Sequence, residues 1–381
     1  MINTGRVALS KMDAVTFGLP AHDALKEEVA KIGSQRIFLM ISGSLNRNTD
    51  EITKIRNALG NKVVGEFDGI SPHTPRRDVI LATEAARDSR ADLIVTFGGG
   101  SITDAAKAVA LCLANDISDT KKMDILNFPD KVLPPTVPQI SIPTTLSGGE
   151  FSAISGVTDV SSQKKDLFRH PGIIPTAVIL DPVPTIHTPE WLFLSTGIRA
   201  VDHCVEGICS NKANAYGDAQ ALQGLALLSG GLVGVKKNKS DIQARLDCQM
   251  GTWLSMAPLS SGVPMGASHG IGYVLGAAFG IPHGHTSCIM LPAVMRWNES
   301  SNKNRQQLIS AAMKQPDINA GDVLEALISK LDMPTRLSDV GIKKSDFNDI
   351  AIKSMETPWV PHNPRHIIGP KDILEILALA A

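Results

Sequence analysis

The chain predicts an α/β unit built on a parallel sheet followed by an all-helical unit, and three observations carry that expectation. Over the first half, short apolar and β-branched runs alternate with stretches whose apolar residues recur at helical spacing, the pattern of βα units. Beyond Asp181-Pro182 the β-branched runs give way to long apolar-periodic segments separated by Gly, Pro and Asn. A length of 381 residues exceeds what one hydrophobic core comfortably serves. The change of texture is therefore expected to mark a domain boundary, with residues 1–182 on one side and 183–381 on the other.

Taken in order, residues 21–32 read as the first helix, 36–42 as a strand, 50–59 as a second helix and 63–67 as a second strand. Residues 77–89 read as helix, and 92–97, Asp-Leu-Ile-Val-Thr-Phe, as a strand buried on both faces because its apolar run is continuous. Residues 104–113 form the following helix. Residues 139–143 and 177–180 add two strands, the last closed by the turn signal Asp181-Pro182. The second half is expected to hold helices at 190–210, 216–228, 240–256, 269–279, 304–313, 320–330, 344–355 and 371–380.

Composition removes several classes of function. A hydrophobic content of 43% with 20% charged residues describes a packed globular protein, and a net charge of −1 offers no footprint for nucleic acid or an anionic membrane. No stretch approaches the roughly 20 apolar residues that cross a bilayer, and the start, Met1-Ile2-Asn3-Thr4-Gly5-Arg6, lacks a secretion signal's apolar core. The five cysteines are odd in number and contain no C-x-x-C pair, which indicates neither a disulfide framework nor a zinc knuckle. A cytoplasmic protein with a small-molecule substrate, no nucleic acid and no membrane is expected.

The buried strand at 92–97 runs directly into Gly98-Gly99-Gly100-Ser101, and a helix is expected from near Thr103. Strand, glycine turn and helix start make an anion site: glycines let the backbone come close, and free N–H groups face phosphate oxygens. The turn is neither G-x-G-x-x-G nor a P-loop, yet a nucleotide is its natural ligand. Asp104, three residues past Ser101, reads equally as a capping carboxylate. Pro143-Thr144-Thr145-Leu146-Ser147-Gly148-Gly149-Glu150 follows another buried strand, and in a parallel sheet it emerges at the same edge, where ligands collect.

The second half carries His203, His269 and His283 at spacings suited to a shared site. On a helix over 190–210, Arg199 and His203 share a face, whereas Asp202 is rotated roughly 100° away. A guanidinium has only donors and cannot ligate a cation. If these histidines converge, they converge around a fixed positive charge.

In order along the chain, Gly98 to Ser101 with Asp104 and Lys107, then Pro143-Thr144-Thr145, Asp181-Pro182, the helix holding Arg199 and His203, His269, and Pro282-His283-Gly284 resemble the iron-containing (group III) alcohol dehydrogenases, and within them most the maleylacetate reductase branch. The resemblance runs from Phe17-Gly18 to Asn363-Pro364-Arg365. It implies the dehydroquinate synthase-like fold of that family: a Rossmann-like domain binding NAD or NADP, then an all-α catalytic domain. The implied cofactor contacts are Ser42, Gly98, Gly99, Gly100, Ser101, Asp104, Thr144, Thr145 and Ser147. A homodimer is implied as well. In metal-dependent members one Asp and three His bind iron or zinc; the matching positions here are Arg199, His203, His269 and His283, so the ligand set is incomplete. Tyr273 stands where the dehydrogenases place a further histidine.

The expected activity is NAD(P)H-dependent reduction of a small carbonyl compound, carboxylate-bearing like maleylacetate, without metal. Arg199 would supply the charge a metal supplies, and His203, His269, His283 or Tyr273 the proton. Several alternatives stay open. Asp202 or Glu206 could serve as replacement ligand in a metal-dependent alcohol dehydrogenase, or pair with Arg199 purely structurally. A lyase that retains its dinucleotide, and a dinucleotide-binding protein without catalysis, are the others. After the strand at 36–42 the loop Ser42-Gly43-Ser44-Leu45-Asn46-Arg47 brings no carboxylate against the 2′-phosphate of NADP, and Arg47 would favour it.

Overall fold

A computed structural model describes residues 7, 9–162 and 164–381. The chain forms two compact units, one of them Ser10–Thr188 and the other containing Pro189–Ala381, so the division falls after Thr188 rather than after Pro182.

The first unit runs β1 (Ala14–Phe17), α1 (Ala21–Ile32), β2 (Ile37–Ile41), α2 (Gly43–Asn48), α3 (Glu51–Leu59), β3 (Val63–Phe67), α4 (Arg76–Asp88), β4 (Leu93–Gly98), α5 (Gly100–Ala114), β5 (Gln139–Pro143), β6 (Ile154–Asp159), β7 (Lys164–Arg169) and β8 (Ala177–Leu180). Six strands form one parallel sheet in the order β1-β8-β5-β4-β2-β3, and β6 and β7 form a separate antiparallel hairpin. The alternation of side chains along β2 explains why both faces are covered: Ile37, Leu39 and Ile41 enter the core with α1 and α3, and Phe38 and Met40 the core with α4 and α5. The edge strand β1, the short α2 and the hairpin were not legible, because four-residue and six-residue elements carry too little periodicity.

The second unit is helical: α6 (Glu190–Cys209), α7 (Ala215–Lys237), α8 (Ile242–Ser255), α9 (Ala257–Ser260), α10 (Ala267–Phe279), α11 (His283–Ala312), α12 (Ala320–Lys330), α13 (Phe347–Ser354) and α14 (Pro370–Leu379). The main departure is α11, expected only from residue 304. Pro282 stands at its cap and Pro292 lies inside it, so the sequence reads as broken where the chain stays helical. Asn302 is non-helical and marks a kink near the expected start. No helix among the described residues is long and apolar enough to cross a membrane.

Candidate active site

In the first unit, β2 is followed by β3 on one side and β4 lies on its other side, next to β5. The chain thus reverses direction across the sheet between β2 and β4, and ligands of doubly wound sheets bind beyond the carboxyl ends of the strands at such a reversal. The loops meeting there are tied together. The Ser42 N–H donates to the Phe97 carbonyl and the Thr144 N–H to the Gly98 carbonyl, both at 2.9 Å. Glycine suits this closeness: Gly98 has φ 159° and a Cβ on it would run into Ile102 Cδ1, and one on Gly100 would stand 2.6 Å from Ser147 Oγ, so those side chains would have to move. Thr145 Cγ2 lies 3.2 Å from where a Gly99 Cβ would be.

Helix α5 starts at Gly100 itself rather than near Thr103, and no side chain caps it. The N–H groups of Ile102 and Thr103 donate to the Gly99 carbonyl, whereas those of Gly100 and Ser101 precede the helical ladder and suit an anion. Asp104 does not cap this helix. Its carboxylate accepts the Gly156 N–H at 3.1 Å and lies 3.8 Å from Lys107 Nζ, which joins α5 to the hairpin. Lys107 is wholly buried and donates to the carbonyls of Gly149 at 2.5 Å and Ile154 at 2.9 Å, fixing the far end of the Thr144–Gly149 loop. Burial lowers the Lys107 pKa against the pull of Asp104 and Glu150. Burial likewise raises the Glu150 carboxyl to about 7. Thr145 Oγ1 and Ser147 Oγ share a hydrogen bond of 3.1 Å.

One expectation at this corner is corrected. The loop after β2 is free of carboxylates in sequence, but Asp68, at the end of β3, brings one to it: Asn46 Nδ2 donates to Asp68 at 3.0 Å, and Arg47 Nη1 lies 3.7 Å from the same oxygen. Neighbouring parallel strands end side by side, so the next strand supplies the charge.

In the helical unit, α6, α10 and the start of α11 bring together Arg199, Asp202, His203, Glu206, Ser268, His269 and Ser287. Asp202, three residues past Arg199 and so its neighbour on α6, stands at the centre because it also faces α10 and α11. It is 0% exposed and accepts hydroxyl hydrogens from Ser287 at 2.7 Å and Ser268 at 2.9 Å. Arg199 Nη1 donates to Ser287 Oγ at 3.0 Å and lies 3.6 Å from Asp202 Oδ2. The ion pair of Arg199 with Asp202, one of the open readings, is therefore present.

Glu206 accepts the N–H groups of Gly266 (2.9 Å), Ser268 (2.8 Å) and His269 (3.4 Å), capping α10 from a distance of sixty residues or more in sequence. It also lies 2.7 Å from His269 Nδ1, which makes that nitrogen a donor and leaves Nε2 as the other functional atom. The ring of His203 lies 4.8 Å from that of His269. His203 Nδ1 and His269 Nε2 are buried with no hydrogen-bond partner among the described residues. Tyr273 and His283 face each other, ring centroids 6.0 Å apart, and His283 packs where a Gly276 Cβ would be.

The charges sort the two paired histidines. Burial drives the His203 pKa well below its ordinary value, and His269 and Arg199 push the same way. For His269, burial and Arg199 press downward, but Asp202 and Glu206 outweigh them and the pKa rises. Asp202 is pressed upward by burial and held below its ordinary value by His269, Arg199 and Ser287. The surroundings thus push the two rings in opposite directions, His203 down and His269 up.

Asp202, Glu206 and His269 offer ligand atoms within 4.8 Å of one another. As they stand, Glu206 and Asp202 Oδ2 are not open to a resident metal. The Glu206 oxygens already accept three backbone N–H groups and His269 Nδ1, the same Asp202 oxygen takes two hydroxyls, and a guanidinium stands 3.6 Å from it. A cation on Glu206 would have to displace donors that the helix end requires; Asp202 Oδ1, His203 Nδ1 and His269 Nε2 have no hydrogen-bond partner among the described residues, but the Arg199 guanidinium opposes a positive charge beside them. The unaided sequence gave no sign of Ser268 or Ser287 as members, the latter because its helix read as a loop. Glu206 had one usable signal: Gly266, before α10, provides no cap of its own.

Over residues 13–182 the chain matches the Iron-containing alcohol dehydrogenase family, and over 193–381 the Fe-containing alcohol dehydrogenase family, C-terminal. It is 35% identical to Dehydrogenase FUM7 of Gibberella moniliformis, covering 96% of each chain. It is 30% identical to Maleylacetate reductase 1 of Rhodococcus opacus, covering 95% of this chain and 93% of that one. The crystal structure of maleylacetate reductase from Agrobacterium tumefaciens superposes with a TM-score of 0.84 at 26% identity, covering 100% of this chain and 98% of that one. The chain belongs to the iron-containing alcohol dehydrogenase family, with its maleylacetate reductase branch among its relatives, and is an oxidoreductase.

Proposed function

We propose that the protein is an NAD(P)H-dependent reductase of a small carbonyl compound bearing a carboxylate, of which maleylacetate is one, and that it works without a resident metal. The observation that carries this reading is Arg199, held by Ser287 and Asp202 among the histidines. When bound at the glycine corner, a reduced nicotinamide dinucleotide supplies hydride to the carbonyl carbon. The open N–H groups of α5 and the hydroxyls of Thr145 and Ser147 suit its pyrophosphate.

The remaining work falls to side chains of the helical unit. Arg199 has five N–H donors and a side chain 12% exposed, enough to receive a substrate carboxylate or the developing alkoxide. His269 carries a proton that Asp202 and Glu206 hold on it, and Nε2 is the atom from which it leaves for the carbonyl oxygen. His203, kept neutral, cannot be that acid. Carbonyl, reduced cofactor and one proton give alcohol and oxidised cofactor.

A second reading, a metal-dependent alcohol dehydrogenase, draws on the nearness of Asp202, Glu206 and His269 and requires Glu206 to release α10. The test is steady-state oxidation of NADH or NADPH by chelator-treated protein with keto acids, maleylacetate included, and neutral aldehydes of matched size. Turnover selective for keto acids supports the proposal. Turnover of aldehydes alone, or only after metal is restored, overturns it.

A further inference from the structure

We propose that Arg47 and Asp68 set the choice between the two nicotinamide dinucleotides, Arg47 by pairing with a 2′-phosphate and Asp68 by opposing one; the inference rests on the dinucleotide reading of the glycine corner. In doubly wound folds the adenosine ribose lies at the end of a strand beside the one that carries the glycine turn, here β4, where a carboxylate binds its hydroxyls or an arginine its 2′-phosphate. Here that strand is β2, and it ends in Ser42-Gly43-Ser44, which carries no charge.

Two side chains from elsewhere bring the charge. The guanidinium of Arg47, one turn further along α2, lies over Gly43: a Cβ on that glycine would stand 2.8 Å from Arg47 Nη1. The Asp68 carbonyl oxygen stands 3.0 Å from the same point, so the end of β3 is pressed against the end of β2. The Asp68 carboxylate accepts from Asn46 Nδ2 at 3.0 Å, and Arg56 Nη2 donates to Asn46 Oδ1 at 2.8 Å while pairing with Glu66. Asp68 is thereby held by a chain of partners, and the charge of Arg56 is already engaged.

Arg47 is held far more loosely. Its only ionic partner among the described residues is Asp68 at 3.7 Å, and the two side chains are 68% and 41% exposed. An exposed pair at that separation contributes little. A phosphate dianion offers Arg47 two parallel hydrogen bonds, which a single distant carboxylate oxygen does not. Arg47 can therefore leave Asp68 for a 2′-phosphate, whereas Asp68 stays and repels it. Without the phosphate, the same carboxylate is free to accept ribose hydroxyls.

The experiment is titration of the full-length protein with NADH and with NADPH, without substrate, followed by reduced-nicotinamide fluorescence. The expected result is an NADPH:NADH affinity ratio that falls about tenfold in Arg47→Ala and rises several-fold in Asp68→Asn. Both effects shrink as salt is raised, because the groups are exposed. A ratio unchanged in both folded variants overturns the inference. Failure of the wild-type protein to bind either dinucleotide overturns the underlying reading instead.

Discussion

Replacing Arg199 with Met keeps length and removes charge. Two consequences can be separated from the structure. The first is stability: Asp202, 0% exposed, loses a cation 3.6 Å away. Removing one partner of a buried pair typically costs about 3–5 kcal/mol. Here the hydroxyls of Ser268 and Ser287 and the ring of His269 still attend the carboxylate, and Arg199 also repels His269 and His203, so a loss of roughly 1–2 kcal/mol is expected. The second is catalysis. Loss of a positioned donor facing developing negative charge lowers kcat by about 100- to 1000-fold, or roughly 3–4 kcal/mol. Arg199→Lys retains the charge without the geometry to Ser287, so its loss should be intermediate. Thermal unfolding of each variant, with kcat and KM for a keto acid and a matched aldehyde, separates the two effects. A folded Arg199→Met protein that reduces the keto acid within about threefold of the wild-type rate would refute the reasoning.

Further outcomes follow from the same geometry. Glu206→Gln replaces a buried charged acceptor by an amide whose NH2 must face an N–H donor of α10; it should lose about 1.5–3 kcal/mol of stability and about 10-fold or more of activity through loosened orientation of His269, and an unchanged melting temperature would contradict this. Gly284→Ala places a Cβ 2.6 Å from the backbone and side chain of Ser195, so a loss of roughly 3 kcal/mol or more is expected by thermal unfolding, with displacement of His283; a loss below about 1 kcal/mol would show that α6 and α11 can separate freely. Glu150 binds a proton more readily folded than unfolded: its stabilising contribution is present below its ordinary value of 4.5 and is lost as the pH rises to about 7, an effect on the order of 3 kcal/mol. Unfolding free energies measured across that window should fall for the wild-type protein and stay flatter for Glu150→Gln; identical slopes would contradict the assignment.

Much of the α/β unit was legible because its strands are buried on both faces and so appear as continuous apolar runs, as at Leu93 to Phe97. The glycine turn was legible for the same reason that it is constrained: a larger residue would crowd Ser42, Thr145 and Ser147. Two things escaped. Asp68 reaches the nucleotide corner from the next strand, and no spacing along the chain reports which strand lies beside β2. Asp202 was legible only as a replacement ligand or a partner of Arg199, and its central position is decided by the hydroxyls of two other helices. Helical periodicity says which residues share a face, and partners across helices emerge only from packing. Ser287 was hidden twice, lying in a segment that its prolines disguised as loop.

The claim that bears the most weight is that Arg199 occupies the electrostatic place of a metal ion. It is tested most directly by the metal content of the purified protein, before and after chelation, alongside keto-acid turnover. Substoichiometric iron and zinc, and turnover unaffected by chelation, are the expected result. One tightly held iron or zinc per chain, with activity lost on its removal and regained on its return, would contradict it.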